Sequence, residues 1–303
     1  MKLSRLIPED YSILKPYFRS QKYPLCSYSL SSAIAWSNQE YRPYKAVTDD
    51  AVIIGCEFTM NKENRHLLLP ISPAKEFTPE ALKELASDLG FTNFWFVPEE
   101  YIRTYGKKRV ASIFQITEQK GFSDYIYLTH DLMNLKGNKY SKKRNLVHQF
   151  ERSCLDRREI TVEPITPASL NECLDFMDKW CEERHCSLDD DSNLACEKEA
   201  VVNTIANMEL MEVKGLMMRI DGQVAAFGMA SFLTQEMGVI HFEKALASIK
   251  GLYQYFDNIC VKHLLKDYKY TNKENDMGLP GLKKSKKSYH PLMIVRSYEL
   301  KLI

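Results

Sequence analysis

The sequence lacks both long apolar stretches and an excess of one charge. No run approaches the ~18 consecutive apolar residues that a membrane-spanning helix needs. With 41 Lys and Arg against 40 Asp and Glu, the formal net charge is +1, so any site for a polyanion such as RNA must be local. The first residues carry no apolar core of the kind found in secretory signals. We therefore expect a cytoplasmic protein without a transmembrane segment.

Several catalytic signatures are also missing. The sequence contains no GxSxG, HExxH or GxGxxG motif, and its eight cysteines form no CxxC pair. Gly278–Ser285 faintly resembles a phosphate-binding loop, but the spacing of its glycines is wrong, which argues against a nucleoside triphosphatase. Without a secretory signal, the cysteines are expected to stay reduced.

One stretch raises the question of a metal site. Cys181, His185, Cys186 and Cys196 lie near the acidic run 189–191. Their spacing matches no standard set of zinc ligands. The alternative is a polar loop beside a core helix, and we predict no metal site.

The composition is that of a folded globular protein. Hydrophobic residues make up 45% and charged residues 27% of the 303 positions. Strand-like and helix-like stretches alternate, and a hairpin is predicted where Lys214–Ile220 and Val224–Phe232 flank Asp221-Gly222. Hairpins argue against a doubly wound parallel sheet. We predict an α+β (mixed α/β) fold of two lobes, each a mixed, mostly antiparallel sheet with packed helices.

The lobes are predicted as two domains, residues 1–135 and 136–303. A repeated signal suggests that they are alike, because a strand, a Thr-Pro pair and an amphipathic helix occur at Thr78-Pro79 and again at Thr166-Pro167. Thr before Pro is a common helix start. Further predicted elements are helices near 9–18 and 251–266 and strands near 51–59, 66–70, 93–97, 124–128, 160–164, 239–242, 268–271 and 292–303.

A basic helix is predicted from about Tyr140 to Asp156. Leu146, Val147, Phe150 and Cys154 give it a buried side, so its charges are expected on exposed faces. The basic residues of this region are Lys136, Lys139, Lys142, Lys143, Arg144, Arg152, Arg157 and Arg158. Two interpretations remain open: a solvated helix, or a surface for the phosphates of RNA, a cofactor or lipid headgroups.

The segment from Tyr270 to Pro291 has the most unusual composition. Asn272, Glu274 and Asp276 alternate, which would place them on one face of an extended backbone. The sequence Gly278–Gly281 predicts irregular backbone, and four lysines then fall within residues 283–287, ahead of Tyr289-His290-Pro291. A charged surface loop is one interpretation. A site for anion binding and proton transfer is the other.

This segment resembles a known family. Residues 272–283 (NKENDMGLPGLK), 286–291 (KKSYHP) and 137–145 (GNKYSKKRN) are similar to the C-terminal domain of phosphatidylglycerol lysyltransferases, in particular its small soluble bacterial members. The resemblance implies tandem acyltransferase-like domains of the N-acetyltransferase (GNAT) type, similar also to Fem-type peptidoglycan transferases. Such proteins transfer an aminoacyl group from charged tRNA to a lipid or peptide, while others of the superfamily use acyl-coenzyme A.

The resemblance also implies roles for residues, and it requires no bound cofactor. Glu243 is a candidate base, with an edge salt bridge as the alternative. Lys286 fits the family's K-x-x-[F/Y]-x-P pattern and would stabilise an oxyanion or bind phosphate. Tyr289 is a candidate proton donor, with packing of its ring as the alternative. The remaining candidates are Glu274, Asp276 and Asn272 for orienting acceptor or donor, and Gly251, Lys139, Lys142, Lys143, Arg144 and His290 for binding the donor.

The sequence departs from its relatives near Gly251. Of Ser248–Tyr253, only Gly251 matches the pyrophosphate loop of proteins that bind acyl-coenzyme A. Gln254 stands where lysyltransferases tend to carry an Asp on the following helix. We therefore predict a transferase of aminoacyl or acyl groups to an amine or hydroxyl. The alternative is a non-catalytic protein that uses the same fold to bind RNA or another anionic ligand.

Overall fold

Strands and helices alternate along most of the chain. The computed structural model describes residues 1–184 and 188–303, and of residues 188–195 the helical backbone only. The strands are β1 (Ser4–Arg5), β2 (Tyr41–Val47), β3 (Val52–Phe58), β4 (His66–Leu67), β5 (Asn93–Pro98), β6 (Phe114–Glu118), β7 (Asp124–Leu128), β8 (Ile160–Pro164), β9 (Lys214–Ile220), β10 (Gln223–Thr234), β11 (Met237–Ala245), β12 (Tyr270–Asn272), β13 (Met293–Val295) and β14 (Ser297–Leu302).

The α-helices include two short helices near the start of the chain. They are α1 (Tyr11–Arg19), α2 (Leu30–Ala35), α3 (Pro79–Leu89), α4 (Glu99–Tyr105), α5 (Lys107–Ala111), α6 (Thr129–Asn134), α7 (Ser141–Phe150), α8 (Leu170–Arg184), α9 (Leu188–Ala206), α10 (Leu252–Leu264) and α11 (Pro280–Lys287). Among the described residues, no helix combines the length and apolarity needed to cross a bilayer.

The strands form two seven-stranded sheets with the same pattern. The first has the order β1-β2-β3-β4-β5-β14-β6 and the second, read from its other edge, β8-β9-β10-β11-β12-β7-β13. In each sheet the pairing is antiparallel except between the fourth and fifth strands, β4 with β5 and β11 with β12. The predicted fold class is confirmed: tandem units, each a mixed, mostly antiparallel sheet with packed helices.

The two units exchange one strand. The sixth position of the second sheet is held by β7, which precedes residue 135, whereas the sixth position of the first sheet is held by β14, near the end of the sequence. The two sheets thus do not divide at the predicted boundary between residues 135 and 136. A core of buried apolar side chains that includes Leu14 and Val52 from the first part and Phe227 from the second runs across both sheets.

The likeness of the two halves rests on different residues from those used in the prediction. The helix that begins at Pro79 joins the fourth and fifth strands of its sheet, whereas the helical segment that begins at Pro167 follows the first strand. The counterpart of Pro167 is Pro8, since both open a short 3-10 turn in which the third residue, Ser169 or Asp10, accepts a hydrogen bond from the backbone N–H ahead of the proline. Two similar halves were therefore predicted from a pairing of helices that do not correspond.

Local signals predicted several elements correctly. Thr78 accepts a hydrogen bond from the N–H of Ala81, and Gly90 ends α3 with φ 69°. The Asp221-Gly222 turn has φ of 50° and 76°, as a two-residue hairpin turn between β9 and β10 requires. The sequence analysis missed strands β1, β2 and β6 and helices α2, α4, α5, α6 and α9.

The C-terminal segment differs from its prediction at two points. Pro280 is the first residue of helix α11, because proline has no N–H to lose in a first turn and its φ is already helical. The predicted strand 292–303 is two strands, β13 in the second sheet and β14 in the first.

Candidate active site

The second sheet opens where its two parallel strands part. β11 pairs with β12 only over Met237–Val239 and Tyr270–Asn272. β11 then continues to Ala245, while the backbone after Asn272 parts from β11 and keeps backbone hydrogen bonds to Tyr125 of β7, through the Lys273 N–H and the Glu274 carbonyl. Polar side chains from β11, from the segment after β12 and from α7 and α10 gather at this opening.

A buried lysine joins two carboxylates at the opening. The Lys273 ammonium lies 3.2 Å from Glu243 Oε2 and also pairs with Asp257 of α10. Only 11% of the Lys273 side chain, 17% of the Glu243 side chain and 3% of the Asp257 side chain are exposed. Two carboxylates share one ammonium, so part of their charge must be balanced by other groups nearby.

The pKa values of this cluster are displaced in opposite directions. Burial raises the pKa of Glu243 to about 7, with the charge of Asp257 adding to the effect and Lys273 opposing it. Burial alone would lower the pKa of Lys273, but Asp257 and Glu243 raise it above its usual value. At neutral pH the lysine is charged, and the Glu243 carboxyl group stands near the midpoint of its titration.

Two ammonium groups face the ring of Tyr289. Lys143 Nζ lies 3.8 Å from the ring centroid and Lys273 Nζ lies 5.0 Å from it. Burial lowers the pKa of Lys143 to about 8, while burial and the nearby Asp257 raise the pKa of the Tyr289 hydroxyl well above its usual range. The tyrosine ring therefore packs as a cation-binding surface, and its role as a proton donor stays a prediction.

Lys286 reaches the same opening from α11. Its ammonium donates to the backbone carbonyl of Lys273. Burial lowers the pKa of Lys286, and the negative charges of Glu274 and Asp124 oppose that shift. Glu274 in turn contacts the His241 ring, with 3.0 Å between Oε1 and Nδ1. Lys286 and Glu274 thus lie beside the Glu243–Lys273–Asp257 cluster, on the segment that carries Lys273.

A buried amide holds the start of this segment. Asn272 donates to Asp124 Oδ2 (2.7 Å) and to the carbonyl of Pro24 (2.8 Å), and its own Oδ1 accepts from the N–H of Glu274 (2.5 Å). Burial raises the pKa of Asp124 to about 6, against the hydrogen bonds of Asn272 and Cys26, which lower it. Asn272 is fully buried, so in this arrangement it positions the loop and does not face the opening.

The predicted alternation of Asn272, Glu274 and Asp276 on one face is wrong. Extended backbone ends at Asn272, and Glu274 and Met277 adopt positive φ of 56° and 51°. Asp276 is 2% exposed and accepts from the hydroxyl of Tyr125 (2.5 Å) and the N–H of Gly278 (2.9 Å). Its carboxylate fixes the turn, whereas Glu274 remains at the opening.

The basic helix only partly matches its prediction. Lys143 is buried at the opening, contrary to the expectation that all the charges lie on exposed faces. Lys142 is exposed, and Lys139 is exposed and pairs with Asp131 at 2.9 Å. Arg144 donates to the carbonyls of Leu135 and Gly137, which ties the preceding turn to the helix.

His290 lies outside the opening, in contact with the turn before the basic helix. Its Nε2 lies 3.0 Å from the carbonyl oxygen of Lys139, and its ring packs edge-on against Tyr140. The side chain is exposed. His290 therefore joins the two segments that the resemblance singled out.

The loop before α10 is already occupied by protein groups. Glu183 accepts from the N–H of Ala247 (3.1 Å) and from the hydroxyl of Ser248 (2.6 Å). Gly251 has φ 84°, and a Cβ there would lie 2.1 Å from the carbonyl oxygen of Leu146. The glycine is required for the close approach of α7, and a carboxylate takes hydrogen bonds that a pyrophosphate would need.

Three residues of the site were not singled out from the sequence. Lys273 lies within the segment 272–283 that resembles the family, but its position alone indicates no role, and no sequence pattern singles out His241. Asp257, three residues after Gln254 on α10, supplies the second carboxylate of the cluster. The signal for it was present, since a lone acidic residue lies among the apolar positions of a helix that follows the site strand.

The structure does not support a metal cluster in the described part of the chain. Within residues 1–184 and 188–303, no three His, Cys, Asp or Glu side chains that are described come together to hold a metal ion. His185 and Cys186 of the group considered from the sequence lie outside the described residues. Cys173, on the same predicted helix face, is fully buried in the core.

Comparison with protein families identifies the chain. The model of the family described as phosphatidylglycerol lysyltransferase, C-terminal, matches residues 22–300. The chain belongs to this family. The match includes every side chain of the opening, and membership supports the predicted transferase class without specifying a substrate.

Two solved structures are similar over nearly the full length. A conserved protein of unknown function from Bacteroides thetaiotaomicron is 27% identical, with a TM-score of 0.88 and all of both chains covered. The C-terminal domain of a putative lysylphosphatidylglycerol synthetase from Agrobacterium fabrum is 13% identical, with a TM-score of 0.65 over 96% of this chain and 91% of the other. The second likeness shows the fold alone. No curated protein matches the sequence significantly.

Proposed function

We propose that the chain is an aminoacyltransferase, which moves an aminoacyl group from the ester of a charged tRNA to a hydroxyl or amine acceptor. The observation that carries this proposal is the opening between β11 and β12. There Glu243, whose pKa is raised to about 7, lies beside buried lysines in a chain that belongs to a lysyltransferase family. General bases work best when their pKa is near the working pH.

The acceptor is activated by Glu243. Its carboxylate takes the proton from the acceptor hydroxyl or amine, whose oxygen or nitrogen forms a bond to the carbonyl carbon of the aminoacyl ester. The ester C–O bond then breaks, and the leaving 3′ or 2′ oxygen of the tRNA takes up the proton that Glu243 had accepted. No net oxidation or reduction occurs, and the carboxyl group returns to its starting state.

The lysines stabilise the charge that develops during transfer. The carbonyl oxygen becomes negative as the tetrahedral intermediate forms, and ammonium groups held in a dry site stabilise it strongly. Lys286 and Lys143 are the two candidates, because Lys273 is already committed to Glu243 and Asp257. With a pKa of about 8, Lys143 is mainly charged at neutral pH.

Charged tRNA fits the protein better as donor than acyl-coenzyme A. Glu183 holds the N–H of Ala247 and the Ser248 hydroxyl in the loop where a pyrophosphate would have to bind, and its carboxylate would repel that group. A tRNA needs only a basic surface for its backbone phosphates. Lys142 at the exposed side of α7 belongs to such a surface, and the neighbouring Lys143 points into the opening.

The experiment is a transfer assay with the purified chain, charged tRNA and an acceptor in two arms, phosphatidylglycerol vesicles and a primary amine. Mass spectrometry identifies the product. We expect Glu243→Gln and Lys286→Ala each to lower the rate at least ~100-fold, as the loss of a general base or an oxyanion donor does. Lys284→Ala changes an exposed lysine of the same helix and should transfer normally.

Full activity in both site variants would overturn the assignment of the opening as the active site. Coenzyme A should leave the melting temperature unchanged, and a clear increase would move the donor to the acyl-coenzyme A class.

The alternative that the same experiment tests is a non-catalytic RNA-binding role. It would give salt-dependent retention of charged and uncharged tRNA alike, with no product in either acceptor arm.

A further inference from the structure

A serine, a histidine and a glutamate form a hydrogen-bonded line beside the opening. Ser231 Oγ of β10 lies 2.7 Å from His241 Nε2 of β11, and His241 Nδ1 lies 3.0 Å from Glu274 Oε1. A neutral imidazole carries one proton, and the carboxylate can only accept, so the proton belongs on Nδ1. Nε2 then presents its lone pair to the Ser231 hydroxyl, which is the arrangement that activates a serine for attack.

Irregular backbone in β11 and at Glu274 orients the side chain of His241. Met229 pairs with Phe242 and Ala230 pairs with Ile240, so His241 is an extra residue without a partner on β10. Such a bulge turns a side chain out of the regular alternation of a strand and is common next to active sites. Glu274 is brought to the ring by its left-handed backbone, with φ 56°. Two departures from regular structure thus meet at one imidazole.

The line continues beyond the serine. Ser29 Oγ lies 3.3 Å from Ser231 Oγ and also accepts from the N–H of Ser32. With Ser29 donating to Ser231, the Ser231 proton is directed to His241, since that contact is shorter than the 3.3 Å to the carbonyl of Phe232. Hydrogen bonds in a row polarise one another in a buried setting, and Ser231 and the His241 side chain are 5% and 3% exposed.

Ser231 also belongs to the wall of a cavity. The cavity has a volume of about 540 Å³ and lies between the first unit and the second sheet. Tyr28, Leu30, Leu233 and Leu265 line it with apolar surface, and Lys15 and Glu212 stand among its charged residues. A cavity that combines apolar side chains with polar groups can hold a small organic ligand.

We propose that Ser231 is a nucleophile that accepts an acyl group from a small activated ester with an apolar acyl chain. The Ser231 oxygen bonds to the carbonyl carbon while its proton passes to His241 Nε2. The ester C–O bond breaks, and the leaving alcohol takes that proton from His241. Glu274 holds the imidazole and stabilises its charge. The product is an acyl-serine, and its formation needs neither tRNA nor the acceptor of the proposed transfer.

The test uses the full chain with two small serine-directed probes, p-nitrophenyl butyrate and an alkyl fluorophosphonate. Intact mass and peptide mapping should find one adduct per chain, on Ser231. Ser231→Ala should remove the adduct, and His241→Gln should slow its formation at least ~100-fold, the size of effect expected of a general base. Circular dichroism melts establish that both variants are folded.

Ser31→Ala is the matched control. Ser31 lines the same cavity, but its hydroxyl donates to the carbonyl of Met211 at 3.0 Å and has no histidine. This variant should label at the wild-type rate. Absence of an adduct on the wild-type chain, an adduct on another residue, or undiminished labelling of folded His241→Gln would each overturn the proposal. Labelling is read without any transfer substrate, so its failure is distinct from failure of the proposed transferase.

Discussion

The two sheets share one strand order but differ at the place where their parallel strands meet. In the second sheet, the opening between β11 and β12 contains Glu243, Lys273 and Lys286. In the first sheet, β4 and β5 meet at Leu67 and Phe94, and the residues after β4, Leu68 and Leu69, are buried. The same topology thus carries charge in one unit and apolar packing in the other.

At the corresponding place in the first sheet, called the first opening below, aromatic rings from β4 and β5 stack on each other. The rings of His66 and Trp95 stack with centroids 4.2 Å apart and planes 10° from parallel. Burial lowers the pKa of His66 to about 4, so this ring is neutral where Glu243 is half ionised. The difference teaches that strand order alone does not make a site: the side chains that enter the gap decide whether a unit supports chemistry or only stability.

The largest expected effect is at Lys273. Replacing it with Met leaves the two carboxylates of Glu243 and Asp257 buried without their shared cation, which should lower the free energy of unfolding by ~3–5 kcal/mol. Lys269→Met removes an exposed pair with Glu236 and should cost under ~1 kcal/mol. Urea unfolding at pH 7 measures both. Equal losses in the two variants would mean that the buried cluster is no more than a surface ion pair.

Gly251→Ala tests the contact between α7 and α10 that frames the second opening. The new Cβ would meet the Leu146 carbonyl at 2.1 Å in a backbone with φ 84°, so strain and overpacking should together cost on the order of 3 kcal/mol. Gly90 ends α3, the corresponding helix of the first unit, with φ 69°, and a Cβ added there would have no atom within 4 Å. Gly90→Ala is therefore the matched control. It should cost only ~1 kcal/mol. Thermal unfolding measures both variants. Equal stability of the Gly251 and Gly90 variants would show that α7 and α10 can move apart at little cost.

The pH dependence of stability should report on the buried Glu243 of the second opening. The pKa of Glu243 is raised from 4.5 to about 7, so between these values the folded protein holds a proton that the unfolded chain releases, and stability falls as pH rises. Asp124 acts in the same direction only up to its pKa of about 6. Glu243→Gln should therefore flatten the change between pH 6 and 7 by about 1 kcal/mol. An unchanged slope in urea titrations would contradict a raised pKa at Glu243.

The smallest effect is expected in the first opening. His66 donates from Nδ1 to the Asn64 carbonyl at 2.8 Å, but its Nε2 is buried without a partner among the described residues. His66→Phe loses one hydrogen bond and removes one unsatisfied group, so stability should change by less than ~1 kcal/mol. Aminoacyl transfer should be unaffected. A loss of transfer in a folded His66→Phe chain would show that the first opening is not merely structural.

Part of the site was predictable because its residues lie close together in the sequence. Glu274, Lys286 and Tyr289 were found within one segment, and Glu243 was found from its place at the end of a strand. Their assigned roles in transfer stay predictions. Asp257 was missed because a helix must fold back over the sheet before its carboxylate meets Lys273, and Lys143 was assigned to the surface because helical periodicity does not show which neighbour covers a given face.

The fold was predictable where local signals determine it and not where distant strands pair. Turn and cap residues such as Asp221-Gly222 and Thr78 act locally, so the hairpin and α3 were predicted correctly. The exchange of β7 and β14 depends on pairing between distant parts of the chain, and no local pattern records it. The turn at Glu274 and Met277 was missed because neither residue favours positive φ.

The exchanged strand has a consequence for synthesis. β14 lies inside the first sheet, between β5 and β6, yet among the strands of residues 1–184 and 188–303 it is the last to be synthesised. The first unit cannot complete its sheet until β14 is made, so the position between β5 and β6 stays vacant while the second unit is synthesised. A chain that ends before β14 would leave the edges of β5 and β6 unpaired in the unit that is made first. Such unpaired edges favour aggregation, and the exposed unit is open to proteolysis.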